Sequence, residues 1–233
     1  MPEPKDRLPS PPYNPGVRDL VEGKQASDLR ASTANRREGF RGWHERGYIP
    51  HRDSPGLTQF ITYHLVDAFP AALLGEWSAL LKIEKDRERR KQLETYLDQG
   101  RGQCWLRRSD LAAVCQQAFL HFHGHRYLLK AWCLMPNHVH VLVAETTVPM
   151  AEFVQSWKGY SARRCHQVLG DAGSFWADGY WDTYMRDAEQ EFRTIRYIEN
   201  NPVAAGLALD SKDWPWSSAR FRNEYGLLNL PPC

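Results

Sequence analysis

Long hydrophobic runs are missing from this 233-residue sequence. No run approaches the roughly 20 apolar residues that a helix needs to cross a bilayer. The first residues, MPEPKDRLPSPPYNPG, also lack the apolar stretch that is typical of a signal peptide. These two absences argue against a membrane protein and a secreted protein. We therefore expect a cytoplasmic protein with no membrane partner.

Paired cysteines are missing as well. The five cysteines are odd in number and scattered along the chain, and no two of them form a C-x-x-C motif. This spacing argues against a disulfide framework and against a structural zinc site built on cysteine. We expect reduced thiols, as in proteins of the cytosol.

An excess of charge of one sign is also missing, because 30 Lys and Arg oppose 28 Asp and Glu. A net charge of +2 does not make the chain a polycation. Any binding of nucleic acid must therefore come from local basic patches. Hydrophobic residues, in contrast, make up 42% of the chain and include nine Trp, which is ample for the core of one large domain.

Apolar periodicity divides the chain into an arm, a domain and a tail. The beginning is rich in Pro, Arg and Ser and has little periodicity, which predicts an extended, partly ordered N-terminal arm. A charged, helical pattern interrupts the domain and indicates an insertion. The predicted boundaries are residues 1–45 for the arm, 46–225 for the domain, about 75–107 for the insertion, and 226–233 for the tail.

Strand-like and helical patterns alternate through the domain. This order fits an α+β fold, in which an antiparallel sheet carries helices on one face. Asp187 is the predicted N-cap of the last helix, and Pro202 is expected to end it. The predicted elements are a strand within 58–69, a helix that Ser109 caps and Gly124 ends, two strands joined by the turn at 135–137, a helix over 150–169, and a helix from about 188 to 200.

The segment MPNHVHVLV, residues 135–143, places two histidines on one face of a predicted strand. Side chains alternate faces along a strand, so His138, His140 and Leu142 share one side. Two imidazoles at this spacing can converge on one metal ion. A half-buried strand whose polar face carries histidines explains the pattern equally well, because H-x-H alone is a weak motif.

The last predicted helix carries a tyrosine outside its apolar stripe. At 100° per residue, Phe192, Ile195 and Ile198 form the stripe, and Tyr197 lies about 160° from its centre. Asn201 follows one turn later on the same side as Tyr197. Tyr197 is therefore either an exposed or packing tyrosine, or a nucleophile.

The histidines and the tyrosine support each other if the reaction is phosphoryl transfer. A divalent ion on His138 and His140 would polarise the phosphate that Tyr197 attacks. Asn201 would add an oxygen ligand to that ion, since two histidines leave coordination positions open. Oxygen ligation favours Mg or Mn as the metal.

Five segments, two of which contain the histidines and the tyrosine, extend this pattern into a resemblance. The segments WCLMPNHVHVLV, KGYSARRCHQVLG, FWADGYWDTYMRD, RYIENNPVAAGL and WPWSSA occur in this order. Together they resemble the REP-associated tyrosine transposases, which belong to the single-tyrosine HUH transposase superfamily. The resemblance covers roughly residues 58–225. It places the metal-binding histidines on His138 and His140, the catalytic tyrosine on Tyr197, and the amide on Asn201.

The resemblance implies a ferredoxin-like sheet, a divalent metal, and a strand transferase. Such an enzyme cleaves and rejoins single-stranded DNA through a 5′-phosphotyrosine, and its substrates are palindromic hairpins of the REP type. A domesticated hairpin-binding protein without turnover is the alternative, and a metal hydrolase that uses water is a third possibility. We expect a monomer, with a dimer as the alternative. The insertion and the arm depart from compact members of the family.

Basic and aromatic side chains near these motifs are candidates for DNA contacts. Basic residues would bind phosphates and aromatic rings would stack on unpaired bases, although about half of the aromatics are expected to be core residues. The candidates are Lys158, Arg163, Arg164, Arg193, Tyr160 and Trp176.

Overall fold

The computed structural model describes residues 32–45, 50–69, 92 and 94–230. Several predicted features lie outside this description. They are the first 31 residues of the arm, the greater part of the insertion at 70–91 and 93, and the last three residues of the tail.

Four helices, six strands and a helical turn at residues 94–98 follow one another along the described residues. Three short 3-10 turns, at Trp105–Arg107, Ser211–Asp213 and Ser218–Phe221, complete the regular structure. The elements are α1 (Thr33–Arg37), β1 (Gly42–Glu45), β2 (Pro50–Asp53), β3 (Gln59–His64), α2 (Ser109–Leu120), β4 (Leu128–Leu134), β5 (His138–Ala144), α3 (Met150–Leu169), β6 (Trp181–Tyr184) and α4 (Ala188–Ala204).

The main sheet has four antiparallel strands in the order β4-β5-β3-β6. Helix α2 lies between β3 and β4 in the chain, and helix α3 lies between β5 and β6. This βαββαβ arrangement is ferredoxin-like. The predicted α+β fold with an antiparallel sheet is therefore confirmed.

Helices α2 and α3 pack on one face of this sheet and form the main core. Alternation along β5 points Val139, Val141 and Val143 to this face, where they join Phe119 of α2 and Trp157 of α3. All five side chains are fully buried. The main core of the domain thus lies on this apolar face of the sheet, and the histidines lie on the opposite face.

Helix α4 packs on the opposite face, which corrects the prediction that all helices share one face. A smaller apolar cluster joins Ile198 of this helix to Phe60 and Leu142 of the sheet. Leu142 shares its face with His138 and His140, because side chains alternate along β5. The sequence pattern did not predict that a helix covers this face of the sheet, because the face carries both polar and apolar residues.

Helix α4 begins as predicted but ends later than predicted. Asp187 caps its first turn as predicted, and its Oδ1 accepts a hydrogen bond of 2.7 Å from the Gln190 N–H. Pro202, however, does not end the helix, which continues to Ala204. Proline removes only one N–H donor, and here that loss falls in the last turn. Asn201 therefore keeps helical geometry.

The region before β3 is more structured than the predicted arm. Strands β1 and β2 form a two-stranded antiparallel sheet, so ordered strands begin before position 46. Asp53 joins this small sheet to the domain, because its Oδ1 accepts a 3.2 Å hydrogen bond from the Met150 N–H at the start of α3. A buried hydrogen bond between His51 and Asp182 adds a second link.

Two smaller predictions have different outcomes. Ser109 is the first residue of α2 and not its cap, because Arg108 occupies the cap position. Cys104, Cys115, Cys133 and Cys165 are free thiols, in agreement with the expectation for these four cysteines.

Within the residues that the structure describes, no helix is both long and apolar enough to cross a membrane.

Candidate active site

The two histidines of β5 meet at their ring edges. Nε2 of His138 lies 3.1 Å from Nε2 of His140, and both side chains are fully buried. Burial lowers the pKa of His138, and the neighbouring His140 and His64 lower it further. A neutral imidazole is the form that binds a metal.

Asn137 fixes the tautomer of His138. The Asn137 amide nitrogen donates to the Arg101 carbonyl at 3.0 Å, so its oxygen faces Nδ1 of His138 at 2.8 Å. An amide oxygen accepts only, and Nδ1 must therefore carry the hydrogen. In neutral His138 this leaves the lone pair on Nε2, at the edge shared with His140.

Thr62 of β3 orients the ring of His140 in a similar way. The two residues are paired across the sheet, and Oγ1 of Thr62 lies 2.9 Å from Nδ1 of His140. This contact holds the ring so that Nε2 points toward His138. No sequence pattern marks Thr62, because only the strand register shows that it faces His140.

Tyr197 lies beside these histidines. Its ring centroid is 5.7 Å from that of His140 and 6.0 Å from that of Phe60, and the residue is 37% exposed. Phe192, which the sequence placed in the core stripe, is 59% exposed instead. Helix α4 buries only its second half, so the predicted stripe was wrong at its first member. Tyr197 thus lies at the edge of the packed surface and not opposite to it.

Asn201 lies one turn after Tyr197 and is buried. Its side chain forms a hydrogen bond with Tyr197 that lowers the pKa of the phenol, which identifies the amide as the donor. The amide oxygen of Asn201 is buried and has no hydrogen-bond partner among the described residues. A buried, unpaired oxygen is costly unless a ligand completes it.

A helical turn at residues 94–98 brings two carboxylates to the site. Oδ1 of Asp98 lies 3.8 Å from Nε2 of His138, and burial raises the pKa of Asp98 to about 6. Glu94 forms a hydrogen bond with the Tyr197 side chain. The pKa of Tyr197 is raised well above its ordinary value by burial first, and then by Glu94 and Asp98.

These two carboxylates were missed from the sequence. Glu94 and Asp98 fall in the stretch that was interpreted as a charged helical insertion. Their spacing of four residues, which puts them on one helical face, is the only local signal that they carry.

The geometry limits which residues could hold a metal. Among the described residues, no three His, Cys, Asp or Glu side chains are placed to hold an ion together. For an ion between His138 and His140, the candidates for a third protein ligand are the amide oxygen of Asn201 and, after a movement, Asp98. The unpaired oxygen of Asn201 fits the first option.

Two of the predicted DNA-binding residues are engaged in the fold. Trp176 is 6% exposed, and its Nε1 donates to Oγ of Ser161 at 2.9 Å. It is a core residue, so the predicted stacking on a base was wrong. Nζ of Lys158 donates to the carbonyls of Ala177 and Gly179 at 2.6 and 2.8 Å and thereby holds a loop.

The other predicted DNA-binding residues are exposed. Tyr160, Arg163 and Arg164 are on α3, which packs on the side of the sheet away from the histidines. Arg193 is on α4, one turn before Tyr197, and forms an ion pair of 3.0 Å with Glu189. Of these four residues, only Arg193 shares an element with the candidate site.

Comparisons with known proteins find similarity in the segment that contains this site. The family described as IS200-like transposase matches residues 107–201, a segment that contains His138, His140, Tyr197 and Asn201. A REP-associated tyrosine transposase of Escherichia coli K12 is 25% identical over 92 residues, which are 39% of this chain and 53% of the relative. A Haemophilus influenzae protein that provisionally bears the same name is 25% identical over 99 residues, 38% of this chain and 56% of its own.

The similarity to these relatives covers only part of their length. The chain spans about half the length of the curated relatives that it matches. A solved REP-associated tyrosine transposase bound to a REP hairpin is 18% identical, with a TM-score of 0.45, and the match covers 76% of this chain and 83% of that structure.

Proposed function

We propose that this chain, whose residues 107–201 match the family described as IS200-like transposase, is a member of that family and cleaves and rejoins single-stranded DNA through Tyr197. The observation that supports this proposal most directly is the proximity of Tyr197 and His140, which lie on different elements, α4 and β5. Their ring centroids are 5.7 Å apart, so a tyrosine attack and a metal at the histidines would share one phosphate.

The residues fit a divalent metal such as Mg or Mn. His138 and His140 would hold it through Nε2, and the unpaired amide oxygen of Asn201 would add an oxygen ligand. A metal bound here would stabilise the charge that develops on the phosphate. Asn137 and Thr62 keep both rings in the orientation that this requires.

The protein's own residues prepare the nucleophile. Tyr197 is held from one side by the Asn201 amide, which donates to its phenolic oxygen. Phe60 packs against both Tyr197 and His140, with ring centroids 6.0 and 5.5 Å away. These contacts restrict the phenol to a small range of positions, which favours in-line attack on a bound phosphate.

The proposed substrate is a palindromic single strand that folds into a REP-type hairpin. A curated relative of 25% identity is named a REP-associated tyrosine transposase, and the family match contains Tyr197, His138, His140 and Asn201. We propose further that one chain is sufficient, because Tyr197, His140 and Asn201 meet within a single chain. Light scattering of the protein with and without hairpin tests the expected monomer.

A denaturing gel tests the function. Purified protein is incubated with Mn²⁺ or Mg²⁺ and a labelled single-stranded palindromic oligonucleotide, and a covalent protein–DNA adduct is expected. Tyr197→Phe should abolish the adduct and keep hairpin binding. His138→Ala should also bind without cleaving, because the metal serves the transition state more than the ground state.

Three outcomes would contradict the proposal. Hairpin binding by the wild type without any adduct would indicate a domesticated DNA-binding protein. Cleavage that survives Tyr197→Phe would indicate a hydrolase in which water attacks. Loss of hairpin binding by a folded His138→Ala variant would show that the metal site and the DNA-binding surface are not separate.

A further inference from the structure

The histidine face of the main sheet continues from β5 to the strand β6. Thr62 of β3 is paired with His140 on one side and with Trp181 on the other. Residues that are paired across neighbouring strands point to the same face of a sheet, so Trp181 shares the face of His140. Two strand spacings separate their Cα atoms, which is about 10 Å. Trp181 therefore lies on the same surface as the candidate active site.

His64 lies between Trp181 and the second histidine of the site. It is paired with His138 and follows Thr62 by two residues, so it also points to the histidine face. The rings of His64 and Trp181 are stacked, with centroids 5.2 Å apart and an interplanar angle of 22°. His64 is buried, and its Nδ1 lies 2.8 Å from the Leu65 carbonyl oxygen. The indole of Trp181 thus rests on a ring that is itself held in place.

Trp181 is large and apolar but lies outside the apolar cores. Among the residues that the structure describes, neither the main core nor the smaller cluster around Ile198 includes it. Its neighbours in the chain have other roles, because Tyr180 packs on the main core and Asp182 bonds to the buried His51. Trp181 is half-buried. A half-exposed indole beside a candidate active site is suited to binding a second flat ring.

Single-stranded DNA supplies such a ring. Unpaired bases stack on aromatic side chains, and this stacking accepts any base because every base has a π face. A base inside a duplex is already stacked between its neighbours, so it is not available to the indole. The distance also fits, since about 10 Å corresponds to no more than about three nucleotide steps of about 3.4 Å in a stacked strand.

We propose that Trp181 is a specificity-determining residue that stacks on an unpaired base within about three nucleotides of the phosphate that Tyr197 attacks. This inference rests on the proposed function. The stack favours DNA that is unpaired beside the cleaved phosphate. It does not select one base over another, because a π face carries no hydrogen-bond pattern.

A scan with abasic nucleotides tests the contact without cleavage. Hairpin binding is measured by fluorescence anisotropy in EDTA, with one unpaired nucleotide at a time made abasic. Trp181→Ala should weaken binding of the intact oligonucleotide by about tenfold, and one abasic position should weaken binding by the wild type to a similar extent. The same abasic position should cause no further loss in Trp181→Ala.

Two further variants separate stacking from support of the fold. Trp181→Leu keeps apolar packing against His64 but has no aromatic face, so it should behave like Trp181→Ala. Trp181→Phe keeps an aromatic ring and should retain the loss at the same abasic position. Tyr225→Ala is the matched control and should bind like the wild type. Tyr225 is 80% exposed and follows Arg222, which bonds to β4 at the opposite edge of the sheet.

Three results would overturn the role of Trp181. They are an unchanged affinity in the folded Trp181→Ala or Trp181→Leu variant, an equal further loss at every abasic position in these variants, and a coupled position more than about three nucleotides from the phosphate that the wild type cleaves. Absence of any adduct in the wild type would instead overturn the proposed function, and the scan would still decide whether Trp181 stacks on a base.

Discussion

Glu199, on the same helix as Tyr197, accepts a bifurcated hydrogen bond from the Nε–H of Arg222, with its two carboxylate oxygens 2.7 and 2.8 Å from Nε. Both side chains are largely buried, and the Ser218 hydroxyl donates a further hydrogen bond to the same carboxylate. Arg222 also donates to the carbonyl of Lys130 in β4 at 2.7 Å. Helix α4 is thereby fastened to its own sheet, which fixes Tyr197 over the histidines of the same chain.

Breaking this ion pair should destabilise the domain. Glu199→Ala leaves Arg222 buried without its carboxylate, and the expected loss in free energy of unfolding is about 3 kcal/mol. The surface pair between Arg193 and Glu189 provides the control, because Glu189→Ala should cost about 0.5 kcal/mol or less. Urea unfolding measures both values. Equal losses in the two variants would contradict the anchoring role of Glu199.

The parts of the fold with a strong local pattern were predictable. The structure gives helix α3 the predicted bounds of Met150–Leu169, because its apolar period is regular and Gly170 adopts the left-handed conformation that ends a helix. The two strands around the turn at 135–137 were equally clear. In each case the information lies within about 20 neighbouring residues.

The parts that depend on distant contacts were not predictable. Phe192 looked like a core residue because it has the right period, but only the second half of α4 reaches the sheet. Thr62 faces His140 through strand pairing, and Glu94 reaches Tyr197 from a stretch that resembles a solvated charged helix. Trp176 was wrongly predicted to contact DNA for the same reason. Whether an aromatic ring is buried depends on the residues that pack over it, and these are distant in the sequence.

Asn137 should control metal affinity without touching the metal. Its oxygen accepts the hydrogen on Nδ1 of His138 and thereby keeps Nε2 free for a ligand. Asn137→Ala should weaken Mn²⁺ binding by about 10- to 100-fold, as measured by titration calorimetry. Asn200→Ala, on the exposed side of α4, is the control and should bind Mn²⁺ like the wild type. An unchanged affinity in Asn137→Ala would show that His138 is oriented by other contacts.

His64 should make the stability of the metal-free protein depend on pH. Burial, with a further contribution from Lys158, lowers the pKa of His64 to about 4, against an ordinary value of about 6.5. Between these values the unfolded chain binds a proton and the folded chain does not, so stability falls as the pH drops through this window. The loss attributable to His64 is about 3 kcal/mol by pH 4.

A variant isolates this contribution. His64→Phe keeps a ring against Trp181, which stacks on His64 with centroids 5.2 Å apart, and removes the titrating group. Urea unfolding in EDTA from pH 7 to pH 4 should therefore show a shallower decline in stability than in the wild type. The same change at the exposed His125 controls for the substitution. Parallel pH curves for wild type and His64→Phe would contradict the prediction.

DNA affinity should depend on the exposed arginine of the tyrosine helix more than on those of α3. Arg193 lies one turn before Tyr197, whereas Arg163 is on the side of the sheet away from the histidines. Arg193→Ala should weaken hairpin binding and reduce the slope of log affinity against log salt by about one. Arg163→Ala should leave both quantities near the wild-type values. Fluorescence anisotropy between about 50 and 200 mM salt measures the two slopes. A larger effect from Arg163→Ala would place the DNA on α3 and would separate the binding surface from the histidine face.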